Sequence, residues 1–191
     1  MGKIKIEHFA FFGTLLGLTR EGKLISGDDD VDFYVKESFY EDVRKMISFM
    51  GLNIDYSSVP NDTNHFIQVS GKLNDIEIRV DFYFYDSSSD EDFLLEPWNF
   101  FGNPNNKDKL LKIPKPLIFP LKKQDFLNHE ISIPQHPKIV CEYLYGEDWK
   151  TPKKKKLDYI TVMLGGRPLR IVNKGFFFRL LSRIVIKSNL N

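Results

Sequence analysis

Four of the five residues from position 28 to position 32 are aspartates, the exception being Val31. A strand over residues 28–35 would place Asp28, Asp30 and Asp32 on one face, because strand side chains point alternately to the two sides of a sheet. Carboxylates held this close together repel one another unless a hard cation that prefers oxygen ligands lies between them. The run therefore predicts a Mg²⁺ site, with Mn²⁺ as the alternative cation.

The aspartate run has two alternative interpretations besides a metal site. Gly27 immediately before the run is typical of a turn, so a solvent-exposed acidic turn is one alternative. A calcium loop of the EF-hand type is excluded, because Phe33 occupies the position where that loop needs glycine and Phe39 the position where it needs a bidentate glutamate.

A glycine-threonine pair upstream of the aspartates is suited to binding phosphate. Gly13 would allow the backbone to approach an anion closely, and the pair Gly13-Thr14 is followed at helical spacing by Gly17 and Arg20. Backbone N–H groups and a guanidinium would then face the same anion. We therefore expect a bound phosphate and the metal ion to meet at one place.

A third carboxylate comes from a separate predicted strand. Apolar residues alternate over the segment 76–84, so Asp81 points to the face opposite the apolar one, beside Arg79 and Tyr83. Asp81 is predicted to reach the same cation as Asp30 and Asp32. Taken by itself, Asp81 has an ordinary alternative, which is a solvent-facing residue of a strand.

These residues must be positioned by an alternation of strands and helices. The pattern predicts an α/β fold in which a mixed sheet is flanked by helices. The expected elements are a strand Ile4–Phe12, a short helix from Thr14, the aspartate strand, a helix Ser38–Met50, a strand around Ile54, a hairpin of His65–Gly71 with Asp75–Tyr85 that turns at Leu73-Asn74, and a helix Lys138–Tyr145.

The motifs resemble the LicD family, which includes bacterial phosphocholine transferases and the fukutin-related proteins. The first block of the resemblance is Gly13-Thr14-Leu15-Leu16-Gly17 with Arg20, Ile25 and the aspartates Asp28 to Asp32. The second block comprises Ile133-Pro134 and the segment Tyr143 to Pro152, which is similar to a Tyr-Gly-Asp-Trp-x-Thr-Pro region of the family. The resemblance covers about residues 9–152 and implies a nucleotidyltransferase-like catalytic domain over residues 1–152.

The resemblance also implies an activity. Members of the family move a phosphate-linked small group, such as phosphocholine or an alditol phosphate, from a CDP-activated donor to a sugar hydroxyl of a cell-surface glycan such as lipopolysaccharide or capsule, or of a glycolipid. The metal would be held by Asp30, Asp32 and Asp81, and the donor phosphates would contact Gly13, Thr14, Gly17 and Arg20. Either Asp81 or Asp28 would serve as the base for the acceptor hydroxyl.

Two other functions remain open for the same residues. One is a nucleotidyltransferase that adds a nucleoside monophosphate to its target, since such enzymes share the aspartate triad. The other is a module that binds a glycan or a membrane without catalysis. The complete set of aspartates argues against this second alternative.

Composition bounds the rest of the chain. With 191 residues, of which 42% are hydrophobic, the chain is long enough for one core and an appendage. It contains no apolar run of 18 residues and no signal peptide, which favours a cytoplasmic protein. The single cysteine, Cys141, lies among apolar residues and is expected to be a buried thiol rather than a nucleophile.

Charge is distributed unevenly between the two ends of the chain. Residues 1–149 carry 16 Lys and Arg against 25 Asp and Glu, a net charge of −9, whereas residues 150–191 carry 11 against 1, a net charge of +10. Residues 153–191 are predicted to be a basic helical appendage. In a helix over 175–187, Arg179, Arg183 and Lys187 would form a cationic stripe beside an apolar surface, as in helices that lie on anionic membranes.

The alternative for this tail helix is packing on the domain with the basic stripe in water. Nucleic acid is not expected as a partner, because the aromatic residues of the tail cluster in one apolar segment instead of alternating with the basic ones. Peripheral contact with the inner face of the membrane would bring the site to acceptors that are attached to lipid.

If the tail binds membrane, the full-length protein should sediment at low salt with vesicles that contain anionic lipid. Each of Arg179, Arg183 and Lys187 is expected to contribute about 1 kcal/mol of attraction, and salt should weaken binding because exposed charges are screened over about 10 Å at 0.1 M. Reversing the three charges should release the protein. If no protein pellets at low salt, the membrane interpretation is wrong.

Overall fold

The computed structural model describes residues 5–28, 30–54, 65–73, 76–96, 111–153, 159–164 and 167–172. The helices in these ranges are α1 (Phe12–Glu21), α2 (Tyr40–Phe49), which follows a 3₁₀ turn Glu37–Phe39, α3 (Lys115–Ile118) and α4 (Pro137–Tyr145). The strands are β1 (His8–Ala10), β2 (Val31–Lys36), β3 (Asn53–Ile54), β4 (Phe66–Leu73), β5 (Ile76–Tyr85), β6 (Phe93–Glu96), β7 (Leu111–Pro114), β8 (Lys122–Phe126), β9 (His129–Ile133), β10 (Tyr159–Leu164) and β11 (Arg167–Val172).

The central feature is a five-stranded mixed sheet with the strand order β1-β2-β5-β4-β3. Strands β2 and β5 are parallel neighbours, and the other pairs in the sheet are antiparallel. The register places Asp32 of β2 opposite Asp81 of β5, and Asp81 opposite Gln68 of β4. Three additional two-stranded pairs, β6–β7, β8–β9 and β10–β11, complete the mixed α/β fold that the sequence predicts.

Each face of the sheet packs into its own core. Helix α2 places Val43 and Ile47, one turn apart, against Val35, Ile67 and Phe84 of the sheet. The opposite face is more aromatic and is covered by α1, α3 and α4. Its fully buried side chains include Phe9, Phe11, Leu15, Tyr34, Tyr85, Val140 and Cys141. Because α2 and the α1/α4 layer cover opposite faces, the middle of the sheet is buried on both sides.

The position of Asp81 differs from the expectation of one apolar and one polar strand face. The predicted apolar face is present, since Phe84 is fully buried, but Tyr85 on the other face is fully buried too. Asp81 itself is only 5% exposed. The alternation in this segment therefore reflects two buried faces of different chemistry, one aliphatic and aromatic, the other aromatic and acidic.

Several element boundaries differ from those expected. Strand β2 begins at Val31, so Asp28 and Asp30 lie in the segment that leads into the strand and not within it. The first strand covers only His8–Ala10, and the helix that follows begins at Phe12. The hairpin β4–β5 is confirmed, but Leu73, predicted to lie in the turn, still pairs with Ile76, so the register is that of a turn one residue later than predicted.

The predicted helical appendage is wrong for residues 159–164 and 167–172, which form the antiparallel strands β10 and β11. The segment 159–162 reads Tyr-Ile-Thr-Val, a run of aromatic and β-branched residues typical of strands, and Gly165-Gly166 separates the two strands in the sequence. The predicted helix over 175–187, with Arg179, Arg183 and Lys187, lies outside the described residues. Among the helices that are described, none has the length and apolar character needed to cross a membrane.

The buried cysteine is confirmed. Cys141 lies on α4 with no exposed surface, and burial raises the pKa of its thiol to about 11. Because a nucleophilic cysteine requires the thiolate, we assign this residue to the packing of α4 against α1.

Candidate metal centre

The parallel pairing of β2 and β5 brings together carboxylates that are far apart in the sequence. Asp32 and Asp81 lie side by side on adjacent strands, and Asp30 reaches the same point from the residues just before β2. Each of the three offers a carboxylate oxygen, and these oxygen atoms all lie within 4.8 Å of one another. Asp32 and Asp81 are buried and Asp30 is half-buried.

Asp32 is held by the first turn of α1. The backbone N–H of Asp32 donates to Thr14 Oγ1 at 2.8 Å, and the backbone N–H of Thr14 points back to Asp32 Oδ2 at 3.4 Å. The backbone N–H of Phe11 donates to the carbonyl oxygen of Asp32 at 3.1 Å. These contacts place the positive end of the helix dipole beside the carboxylate.

Position 13 requires glycine, because two aspartate carboxylates lie very close to its backbone. A Cβ atom at this position would lie 2.8 Å from Asp28 Oδ2 and 3.1 Å from Asp32 Oδ2. The absence of a side chain therefore allows the two carboxylates to lie against the start of α1. The preceding residue, Phe12, has a φ of 39°, and its ring packs edge-on against Tyr34 and Tyr83 with ring centroids 5.4 and 4.9 Å away.

Asp81 is held from the opposite side by two donors. Gln68 Nε2 donates to Asp81 Oδ1 at 2.8 Å, and the Tyr83 hydroxyl donates to Asp81 Oδ2 at 3.5 Å. Burial, followed by the nearby charges of Asp32 and Asp81, raises the pKa of Tyr83, so its hydroxyl keeps the proton that it donates. Sequence reasoning missed Gln68, because a turn one residue earlier would have paired it with Arg79 instead.

The electrostatics of the cluster favour a cation. Burial is the largest cause that raises the pKa of Asp32 to about 7, and the negative charge of Asp30 is the next. Burial also raises the pKa of Asp81 to about 6, although the hydrogen bond from Gln68 acts in the other direction. Three converging carboxylates, of which Asp32 and Asp81 have raised pKa values, are a donor set that suits a divalent metal with oxygen preference.

The residues predicted to contact phosphate have identified partners. Gly17 is buried where α1 meets the segment after it, since a Cβ atom there would lie 2.6 Å from the carbonyl oxygen of Lys23 and 2.9 Å from the backbone nitrogen of Ile25. Arg20 donates through Nε and Nη2 to Glu21 Oε1 at 2.8 and 2.6 Å. In this structure, therefore, Gly17 has a packing role and Arg20 forms an ion pair.

The second sequence block forms the end of α4 and the turn after it. Tyr143 donates its hydroxyl proton to the carbonyl oxygen of Lys112 at 2.7 Å, and the ring of Trp149 is buried in the same core as Tyr34 and Leu15. Gly146 ends the helix, with its N–H donating to the carbonyl oxygen of Glu142 at 2.8 Å. This block thus anchors α4 to the layer that covers the acidic face of the sheet.

Comparison with known proteins identifies a family. A family model described as LicD/FKTN/FKRP, nucleotidyltransferase domain, matches residues 5–136, a range that contains Asp28, Asp30, Asp32 and Asp81 but ends before the segment Tyr143 to Pro152 of the second block. Among solved structures, the chain is similar to lincosamide antibiotic adenylyltransferase LnuA with lincomycin bound. That similarity has 10% sequence identity and a TM-score of 0.47, and covers 69% of this chain and 72% of that one. No curated protein matches the chain.

The raised pKa of Asp32 predicts how stability depends on pH. In metal-free protein, Asp32 titrates near pH 7 when folded and near 3.8 when unfolded, so folding is disfavoured progressively as the pH rises through that window. Asp32→Asn should therefore be more stable than the wild type at pH 7, and this advantage should shrink towards pH 4. Chemical denaturation at several pH values measures the difference.

A matched control and a metal titration complete this test. Asp125→Asn removes an exposed carboxylate on β8 and should show no such advantage at pH 7. Mg²⁺ at pH 7 should stabilise the wild type and leave Asp32→Asn unchanged. If Asp32→Asn is less stable than the wild type at pH 7 in the absence of metal, the repulsion assigned to this cluster is wrong.

Gly17→Ala tests the packing role of that glycine. In an ordinary helix interior, alanine is favoured over glycine by about 1 kcal/mol, but here the new Cβ atom would overlap backbone atoms of Lys23 and Ile25. Overpacking of this kind costs about 1 to 3 kcal/mol, so the free energy of unfolding should fall. Ser48→Ala, at an exposed position of α2, is the control and should change it little. A stabilised Gly17→Ala protein would contradict the close contact.

Proposed function

This chain belongs to the LicD/FKTN/FKRP family of nucleotidyltransferase domains, and from that membership and the aspartate triad we propose that it is a divalent-metal-dependent phosphotransferase. The donor is a CDP-activated compound, and the group transferred is a phosphate-linked small molecule such as phosphocholine or an alditol phosphate. The acceptor is a sugar hydroxyl of a glycan or glycolipid. The observation that carries the proposal is the convergence of Asp30, Asp32 and Asp81 within 4.8 Å.

Phosphoryl transfer needs charge neutralisation and positioning more than covalent chemistry from the protein. A bound Mg²⁺, or Mn²⁺, would supply that neutralisation at the donor phosphates, held by Asp30, Asp32 and Asp81. The triad is well suited to this task because Asp32 and Asp81 are each oriented by hydrogen bonds from neighbouring elements. The protein therefore contributes a preformed set of ligands.

The base for the acceptor hydroxyl is assigned to Asp28 in preference to Asp81. Both oxygens of Asp81 accept hydrogen bonds, one from Gln68 and one from Tyr83, which favours a ligand over a proton acceptor. Asp28 is exposed, and its Oδ2 lies beside Gly13 at the rim of the cluster. A carboxylate in that position is accessible to a substrate hydroxyl.

The donor phosphates are assigned to the start of α1. The positive end of the α1 dipole favours an anion at this point, next to the metal ligands, and the N–H groups of Gly13 and Thr14 would have to be shared between the Asp32 carboxylate that they face and the donor. Arg20 would have to exchange its ion pair with Glu21 for the donor. Gly17 would support this arrangement indirectly, by allowing α1 to pack closely on residues 23–25.

Nucleotidyl transfer is the second candidate, and the name of the family domain itself favours it. The two reactions share the metal and the donor phosphates but differ in the bond that breaks. In phosphotransfer, CMP leaves and the remaining phosphate-linked group joins the acceptor, whereas in nucleotidyl transfer the nucleoside monophosphate joins the acceptor and the other phosphate-linked group leaves. Incubation with Mg²⁺ and a panel of CDP-linked compounds, followed by analysis for CMP and for the modified acceptor, separates the two.

Asp32→Asn should abolish turnover in that assay while the protein keeps its fold, because the variant retains an oxygen that accepts from Thr14 but loses the charge needed by the metal. Circular dichroism checks the fold and CMP release measures turnover. Asp125→Asn is again the control. Normal activity of Asp32→Asn would contradict the metal assignment.

Asp81→Asn and Asp28→Asn separate ligand from base. Each should lower the rate by about 100-fold or more, the low end of the loss of a general base. For Asp81→Asn, the Mg²⁺ concentration that gives half-maximal activity should rise, whereas for Asp28→Asn it should stay unchanged. A loss of less than about threefold for Asp81→Asn would return this residue to a purely structural role.

A further inference from the structure

Gln68 contacts the acidic cluster without being a metal ligand or a base itself. Gln68 lies on β4 directly opposite Asp81 of β5, in the middle of the five-stranded sheet, and it is half-buried. Its Nε2 lies 2.8 Å from Asp81 Oδ1, which is a short hydrogen bond to a carboxylate. We propose that Gln68 is a positioning residue that fixes the orientation of the Asp81 carboxylate for metal binding.

The chemistry of Gln68 and Asp81 determines which group donates the hydrogen bond between them. An ionised carboxylate can only accept hydrogen bonds, so the amide nitrogen of Gln68 must face Asp81 and its amide oxygen must point away. The amide thus stabilises the charged form of Asp81 without adding a charge of its own. A lysine or arginine in the same place would neutralise the cluster and compete with the cation.

The second contact of Asp81 is too long to replace the first. The Tyr83 hydroxyl lies 3.5 Å from Asp81 Oδ2, at the limit of a hydrogen bond. Tyr83 is also held in place by its ring contacts with Phe12 and Phe66, each with a centroid distance of 4.9 Å. Of these two contacts, the hydrogen bond from Gln68 is therefore the closer and stronger restraint on the rotation of this carboxylate.

Hydrogen bonds of this kind behind a metal ligand are typically worth 10- to 100-fold in metal affinity or activity. The effect arises because a ligand that is already oriented loses less freedom when the ion binds. Gln68 would act on the metal entirely through Asp81. This inference rests on the proposed function only in assuming that the triad binds a divalent cation.

Binding of Mn²⁺ alone to the full chain tests the inference. Free Mn²⁺ is measured by its electron paramagnetic resonance signal, without nucleotide, for the wild type, Gln68→Met and Gln68→Asn. Methionine has the length of glutamine but no donor, and asparagine keeps the amide but is one methylene too short to reach Asp81. Both variants should bind Mn²⁺ about 10-fold more weakly than the wild type or worse.

Ser70→Ala is the matched control, because Ser70 lies on the same face of β4, two residues further along, opposite Arg79. This variant should bind Mn²⁺ as the wild type does. In the CMP-release assay, Gln68→Met should raise the Mg²⁺ concentration for half-maximal activity, while kcat at saturating Mg²⁺ changes by less than about threefold. A purely structural role for Gln68 would not raise the Mg²⁺ requirement while leaving kcat nearly unchanged.

The outcomes separate this inference from the proposed function. If the wild type binds no Mn²⁺, the metal assignment itself is wrong and the inference falls with it. If the wild type binds Mn²⁺ and both Gln68 variants bind it within twofold of the same affinity, only the inference is overturned. It is also overturned if the affinity falls only together with the near-ultraviolet circular dichroism of the metal-free protein, since Gln68 would then support the fold.

Discussion

The repulsion among three carboxylates in a buried place is the constraint on which the other features of the site depend. Asp30, Asp32 and Asp81 converge within 4.8 Å, and burial makes their charges costly. The surrounding structure offsets this cost with donors: the start of α1 contacts Asp32, and Gln68 contacts Asp81. The strand order of the sheet is equally important for the site, because Asp32 and Asp81 lie side by side only if β2 and β5 are neighbours.

Short-range sequence patterns were sufficient to predict the acidic triad but not the residue that hydrogen-bonds to Asp81. The spacing of the aspartates and the alternation around Asp81 do not depend on knowing where strands begin, so the triad was predicted although β2 starts three residues later than expected. The partner of Asp81 does depend on the exact turn. A shift of one residue at the turn changes the residue opposite Asp81 from Phe66 to Gln68, and hydrophobic periodicity does not distinguish the two registers.

The Gly-Thr motif shows how one short segment serves several purposes. Gly13 makes room for two carboxylates, Thr14 exchanges hydrogen bonds with Asp32, and Gly17 admits the backbone of residues 23–25. The residue types and spacing of the motif predict phosphate binding, but they do not reveal how closely α1 packs on its neighbours. In the C-terminal tail, the basic charge favours an amphipathic helix, whereas the strand-forming residues at 159–162 belong to β10.

The parallel pairing of β2 with β5 has a consequence for how the protein acquires its site. Asp32 and Asp81 are separated by 49 positions in the sequence, and parallel strands become neighbours only after a long crossover has closed. The site therefore depends on contacts between residues far apart in the sequence. Such contacts form only after the chain has lost the conformational entropy of closing the intervening loop. No local fragment of the chain contains the whole triad, so a bound cation would stabilise the assembled sheet selectively, and its occupancy would report the fraction of molecules that are fully folded.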